Sequence, residues 1–140
     1  MAKLKFKKRI LPDAGKHLCT LVEVNEVENK FFDPKKDGED KKKRLEWIFA
    51  YAEKPEMKIR IWSSFSLSIY KGNKSKALTI TQTLLEKVMS DKEKEEFSDS
   101  SDTDGLLGKQ CYITVKHEKK DDGEVYANVI DYEGKSGLPF

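Results

Sequence analysis

A chain of 140 residues is long enough for one domain with a sizeable core. Charged and hydrophobic residues each make up 37% of it, but the apolar ones fall in organised runs, which argues against global disorder. The formal net charge of +2 neither demands nor excludes a nucleic-acid partner, and no run approaches the roughly 18 apolar residues of a membrane span.

Residues 1–16 are a basic arm, with Lys3, Lys5, Lys7, Lys8, Arg9 and Lys16 against Asp13. No apolar core of a signal peptide follows these charges. Pro12 to Gly15 read as a turn. The first strand is predicted from His17 to Glu28, with Cys19 and Leu21 on one face and Leu18, Thr20, Val22 and Val24 on the other. The step from Val24 to Val27 breaks period two and suggests a bulge or strand end near Asn25. A polar hairpin loop with a lysine-rich exit follows, over 29–43.

The second strand, Arg44 to Tyr51, sets Leu45, Trp47, Phe49 and Tyr51 on one face. The third starts at Lys58, opposes Ile59 and Ile61 to Lys58, Arg60 and Trp62, and is expected to run on toward Ile69. The spacing of Leu78, Leu84, Leu85 and Val88 predicts one helix within about 75–90. The acid-rich, serine-rich stretch 91–104 reads as a mobile loop. Two alternating strands follow, Lys109 to Glu118 and Val125 to Tyr132, around a Lys120–Gly123 hairpin turn. A short tail covers 133–140.

The expected fold is therefore mainly β: a five-stranded antiparallel OB-like barrel, spanning 17–132, with one helix between strands 3 and 4. A closed barrel removes the sheet edges that a flat sheet must protect. A different small antiparallel barrel or an α+β sheet is the alternative.

Several stretches resemble a family of small phage- and prophage-encoded proteins from DNA replication and recombination modules. They are Ile10-Leu11-Pro12 to Gly15, Arg44 to Phe49, Leu106 to Lys109, and Gly123 to Val129. The resemblance implies an OB-like fold and single-stranded DNA binding, or assistance to proteins that bind it. It also implies the cytoplasm of a bacterial host. The presence of only two cysteines, Cys19 and Cys111, agrees with a reducing compartment.

Single-strand binders combine cations that follow phosphates with rings that stack on bases. The residues of those types on predicted strands are Arg44, Trp47, Phe49, Lys58, Arg60, Trp62, Tyr112, Lys116 and Tyr126. Trp47 and Phe49 serve equally as the core face of a barrel strand. Trp62 differs, because Ile59 and Ile61 already supply a core face to its strand.

No metal or other cofactor is expected. His17 and Cys19 share a strand face, as do Cys111 and His117, but six residues of strand span ~20 Å, far beyond the reach of one zinc ion. No phosphate-binding glycine loop, dinucleotide fingerprint or nucleophile elbow occurs, so the expectation is a protein that is not an enzyme. The leading expectation is single-stranded DNA binding in phage replication or recombination. The alternative is a protein–protein adaptor of the same complex. Pro139-Phe140 suggests a tail that docks replication or recombination proteins. The sequence leaves the oligomeric state open.

Overall fold

The computed structural model describes residues 11–30, 32–36, 42–65, 67–100 and 103–137. The arm from Lys3 to Arg9, the loop residues 37–41 and the Pro139-Phe140 tip lie outside them.

The strands are β1 (Gly15–Glu28), β2 (Lys43–Tyr51), β3 (Lys58–Ser63), β4 (Ile69–Tyr70), β5 (Asn73–Lys74), β6 (Gln110–Lys119) and β7 (Val125–Gly134). Between β5 and β6 lie α1 (Lys76–Leu85), α2 (Asp91–Ser100) and a 3-10 turn at Thr103–Leu106. Five strands form one antiparallel sheet in the order β3-β2-β1-β6-β7, and β4 and β5 pair separately. The mainly β, five-stranded antiparallel character is as the alternation predicts. The sheet, however, is not closed. Antiparallel pairing at every step leaves the edge strands β3 and β7 running in the same direction, and they are not paired with each other.

β1 is the strand on which the two halves meet. Residues 15–20 pair with β6 and residues 19–28 with β2. The bulge lies at Val22, between Leu21 opposite Phe49 and Glu23 opposite Ile48, rather than near Asn25, which pairs regularly with Glu46. One extra residue shifts the alternation by one. That moves Val24 to the same inward face as Cys19 and Leu21, and leaves Val22 exposed.

The core gathers the inward faces of β1, β2, β3 and β6 against α1. Leu21, Trp47, Phe49, Ile61, Ile80 and Ile113 are among its buried members. β3 ends at Ser63 instead of running to Ile69. Ile69 and Tyr70 turn back through Lys71 and Gly72, both at positive φ, which is the backbone that a two-residue hairpin requires.

Two helices stand where one was expected. α1 starts at Ser75, whose side chain accepts from the Leu78 amide, and ends with Glu86 in the left-handed region. The stretch expected to be a mobile loop holds α2. Ser90 Oγ accepts from the Glu93 amide, and the Glu93 carboxylate accepts from the Ser90 amide. This is a capping box, and Asp91 and Glu93 also favour the positive end of the helix dipole. Phe97 packs against the core and ties the helix down.

Candidate functional site

The six residues of β3 alternate strictly. Ile59, Ile61 and Ser63 are buried, while Lys58, Arg60 and Trp62 face out. Trp62 keeps 40% of its surface exposed, high for a ring of this size. On β2, Arg44 places its guanidinium carbon 5.3 Å from the centre of the Trp62 ring. That stack holds a cation against the indole and leaves the pair at the sheet edge.

Across the open seam, β7 contributes a second wall. Asn128 sits opposite Lys116, and Tyr126 opposite Glu118. Tyr126 Oη donates to Asp122 Oδ2 at 3.0 Å, and Lys120 Nζ lies 4.8 Å from the ring centre. The Asp122 carboxyl is held below its usual range by the Glu124 amide and then by the Tyr126 hydroxyl, so it stays ionised and fixes the ring. Asn128 Nδ2 donates to Glu118 at 3.0 Å.

Between these edges runs a groove of about 390 Å³. Lys58, Arg60 and Trp62 line it from β3, and Tyr126 and Asn128 from β7. Leu11 and Pro12 also line it, and Ile59, Val115, Ala127 and Val129 give it an apolar part. The Pro12 carbonyl accepts from His117 Nε2 at 2.7 Å, which secures this segment to β6. The groove therefore joins residues some sixty positions apart, two cations and two rings among them.

The remaining candidates fall elsewhere. Trp47 and Phe49 are 1% and 0% exposed, so a base cannot stack on them from the surface. The inward face of β2 belongs to the core, and Trp47 Nε1 is spent on Ser63 Oγ at 2.8 Å. Both are core-packing residues instead. Tyr112 lies opposite Leu18 and Glu133, with Lys16 5.0 Å from its ring centre, and does not line the groove. Lys116 is exposed beside Asn128 and flanks the groove without lining it.

Sequence reasoning missed Asn128, Leu11 and Pro12, whose side chains carry no binding signature. It also missed a signal that was present. From Met57 to Leu85 there is no Asp or Glu, while Lys58, Arg60, Lys71, Lys74 and Lys76 all fall inside. This stretch covers β3, the β4–β5 hairpin and α1.

Cys19 and Cys111 face each other across β1 and β6, both fully buried. Burial pushes each thiol up to about 12. Among the described residues no cluster of three or more His, Cys, Asp or Glu is placed to hold a metal ion. Among the same residues no helix is long and apolar enough to cross a membrane. No known family model matches the chain, and no curated protein matches it.

Proposed function

We propose that the chain binds single-stranded DNA along the open seam between β3 and β7, as a non-catalytic OB-like module of phage replication or recombination. One observation carries this reading: Lys58, Arg60 and Trp62 share a single groove with Tyr126 and Asn128. An OB barrel is itself partly open, and it binds oligonucleotides on its second and third strands and adjoining loops. Lys58, Arg60 and the stacked Arg44 attract phosphates. Trp62 and Tyr126 offer rings at the two walls, each worth ~1–3 kcal/mol per stacked base whatever its identity.

The test uses the two tryptophans of the chain. Trp47 is buried and Trp62 exposed, so a ligand in the groove changes the emission of Trp62. Titration with a short single strand is expected to quench fluorescence to saturation, more weakly with rising salt, and the Trp62→Phe variant is expected to lose the change. Equal binding of duplex, or no binding by labelled-strand anisotropy at low salt, would remove the proposal.

A second reading, the protein adaptor, has one observation in its favour. β7 has a strand neighbour on one side only, and its residues Val125 to Ile130 carry no charge. Proteins normally guard such an edge with Lys, Pro or a shortened strand, and an unguarded one accepts a partner's strand.

A further inference from the structure

A second cavity, of about 250 Å³, lies on the inward side of the sheet, between its β1–β2 end and the helices. Phe65 and Phe97 give it aromatic walls, from the loop after β3 and from α2, with the buried Trp47 of β2 behind them. Glu26 lines it from β1, where it is paired with Leu45 two positions beyond the Val24–Trp47 pair. Lys43 stands 4.0 Å from the Glu26 carboxylate.

Thr81 of α1 lines the same cavity, and its hydroxyl is the odd one of three. Thr79 and Thr83 donate to the carbonyls of Ser75 and Thr79, four residues back. Thr81 is 0% exposed, and its Oγ1 has no hydrogen-bond partner. A buried hydroxyl left unsatisfied is costly, and helix geometry offered it the same relief its neighbours took. Its partner is then whatever enters the cavity.

We propose that this cavity receives one base of a strand bound on the neighbouring groove, with Thr81 and Glu26 reading its polar edge. The inference rests on the single-strand reading above. The chemistry selects the occupant. Aromatic walls favour a flat ring, the carboxylate requires an N–H donor, and the hydroxyl donates or accepts. A purely aliphatic ligand leaves the Thr81 hydroxyl unmet, and a phosphate is repelled by Glu26. Adenine and cytosine carry an exocyclic amino group that a carboxylate accepts from, whereas thymine shows a carbonyl oxygen at that position. Trp62 lines the groove and Phe65, three residues later, lines the cavity, so a strand on the groove has only that short segment to pass. Phe65, 42% exposed, is the wall free to swing aside.

The experiment compares labelled oligo-dA and oligo-dT of equal length by anisotropy, on the full chain. The intact protein is expected to favour oligo-dA about tenfold, the discrimination of one good polar contact set. Thr81→Val and, on an exposed residue that cannot disturb the core, Glu26→Ala are each expected to bring the ratio to about one. Thr81→Val should also melt no lower than the parent, since it removes only an unsatisfied hydroxyl. Equal affinity of the parent for both strands, or a ratio unchanged in Glu26→Ala, overturns the base pocket. The groove reading then stands if Arg60→Glu weakens both strands alike. Absence of binding to either strand overturns both.

Discussion

Replacing Lys58 and Arg60 together by alanine takes two cations off the β3 wall of the groove while leaving Ile59 and Ile61 in the core. Counting Arg44 and Lys116 beside them, four cations line or flank the groove. Each neutralised phosphate on a single strand contributes about −0.7 to the slope of log affinity against log salt, so four predict a slope near −2.8 and two a slope near −1.4. Between about 50 and about 200 mM salt, affinity should fall roughly fifty-fold for the parent and roughly sevenfold for the double variant. Anisotropy of a labelled short strand measures both slopes, with Trp62 emission as a local check. Both side chains are exposed, so stability should stay within about 0.5 kcal/mol of the parent, and a urea curve verifies it. A parent that binds, with a slope the double variant leaves untouched, would show that the phosphates lie on some other surface and refute the assignment of β3.

The two tryptophans should separate in stability as cleanly as they do in exposure. Trp47→Ala is expected to cost about 3–5 kcal/mol in a urea titration and Trp62→Ala less than about 0.5; similar costs would contradict the placement of Trp47 in the core. Ser90→Ala removes the cap of α2 and should loosen that helix by about 1 kcal/mol, seen as faster amide exchange over 93–97 with β6 unaffected. Cys19 and Cys111 hold their protons up to about 12 when folded and release them near 9 when unfolded. The folded state therefore binds the extra protons between those values, and stability must fall as pH rises through 9, by about 1.4 kcal/mol per thiol at pH 10. A denaturation midpoint that stays flat from pH 8 to 10.5 would contradict it, and Cys111→Ala should shallow the fall.

Much of the sheet was legible because alternation is a local signal. β2, β3, β6 and β7 each declare two faces, and the isoleucines of β3 name its inward one. Alternation does not say whether an aromatic face packs a core or stacks on a ligand, and Trp47 was ambiguous for that reason. The β1 bulge was sensed as a broken period but displaced, since Val22, Val24 and Val27 are equally apolar and only pairing with β2 decides which is extra. Charge density hid α2: the acids suggested a solvated loop, although Ser90 and Glu93 stand at the spacing of a capping box and were readable. The open seam had no local sign at all. It depends on the separation of two edges brought together by the whole sheet, and neither β3 nor β7 carries a residue that announces whether its outer hydrogen bonds are used.

The small net charge conceals a polarised molecule. Residues 57–85 hold no acid, whereas Glu86, Asp91, Glu93, Glu95, Glu96 and Asp104 crowd the next twenty. α1 carries the chain from one zone to the other. Its ten residues span about 15 Å, more than the ~8 Å over which physiological salt screens a charge. That length separates Glu86 from the cations at its start, whereas Phe97 of α2 lies back beside Ala77 and Thr81. This arrangement is the reverse of what the helix dipole favours, which is acids at the first turn and cations at the last, and α1 has neither. Buried Leu78, Ile80 and Leu84 hold the helix without that help. In the single-strand reading proposed above, the cations at the start of α1 would add to the attraction that Lys58 and Arg60 exert on phosphates.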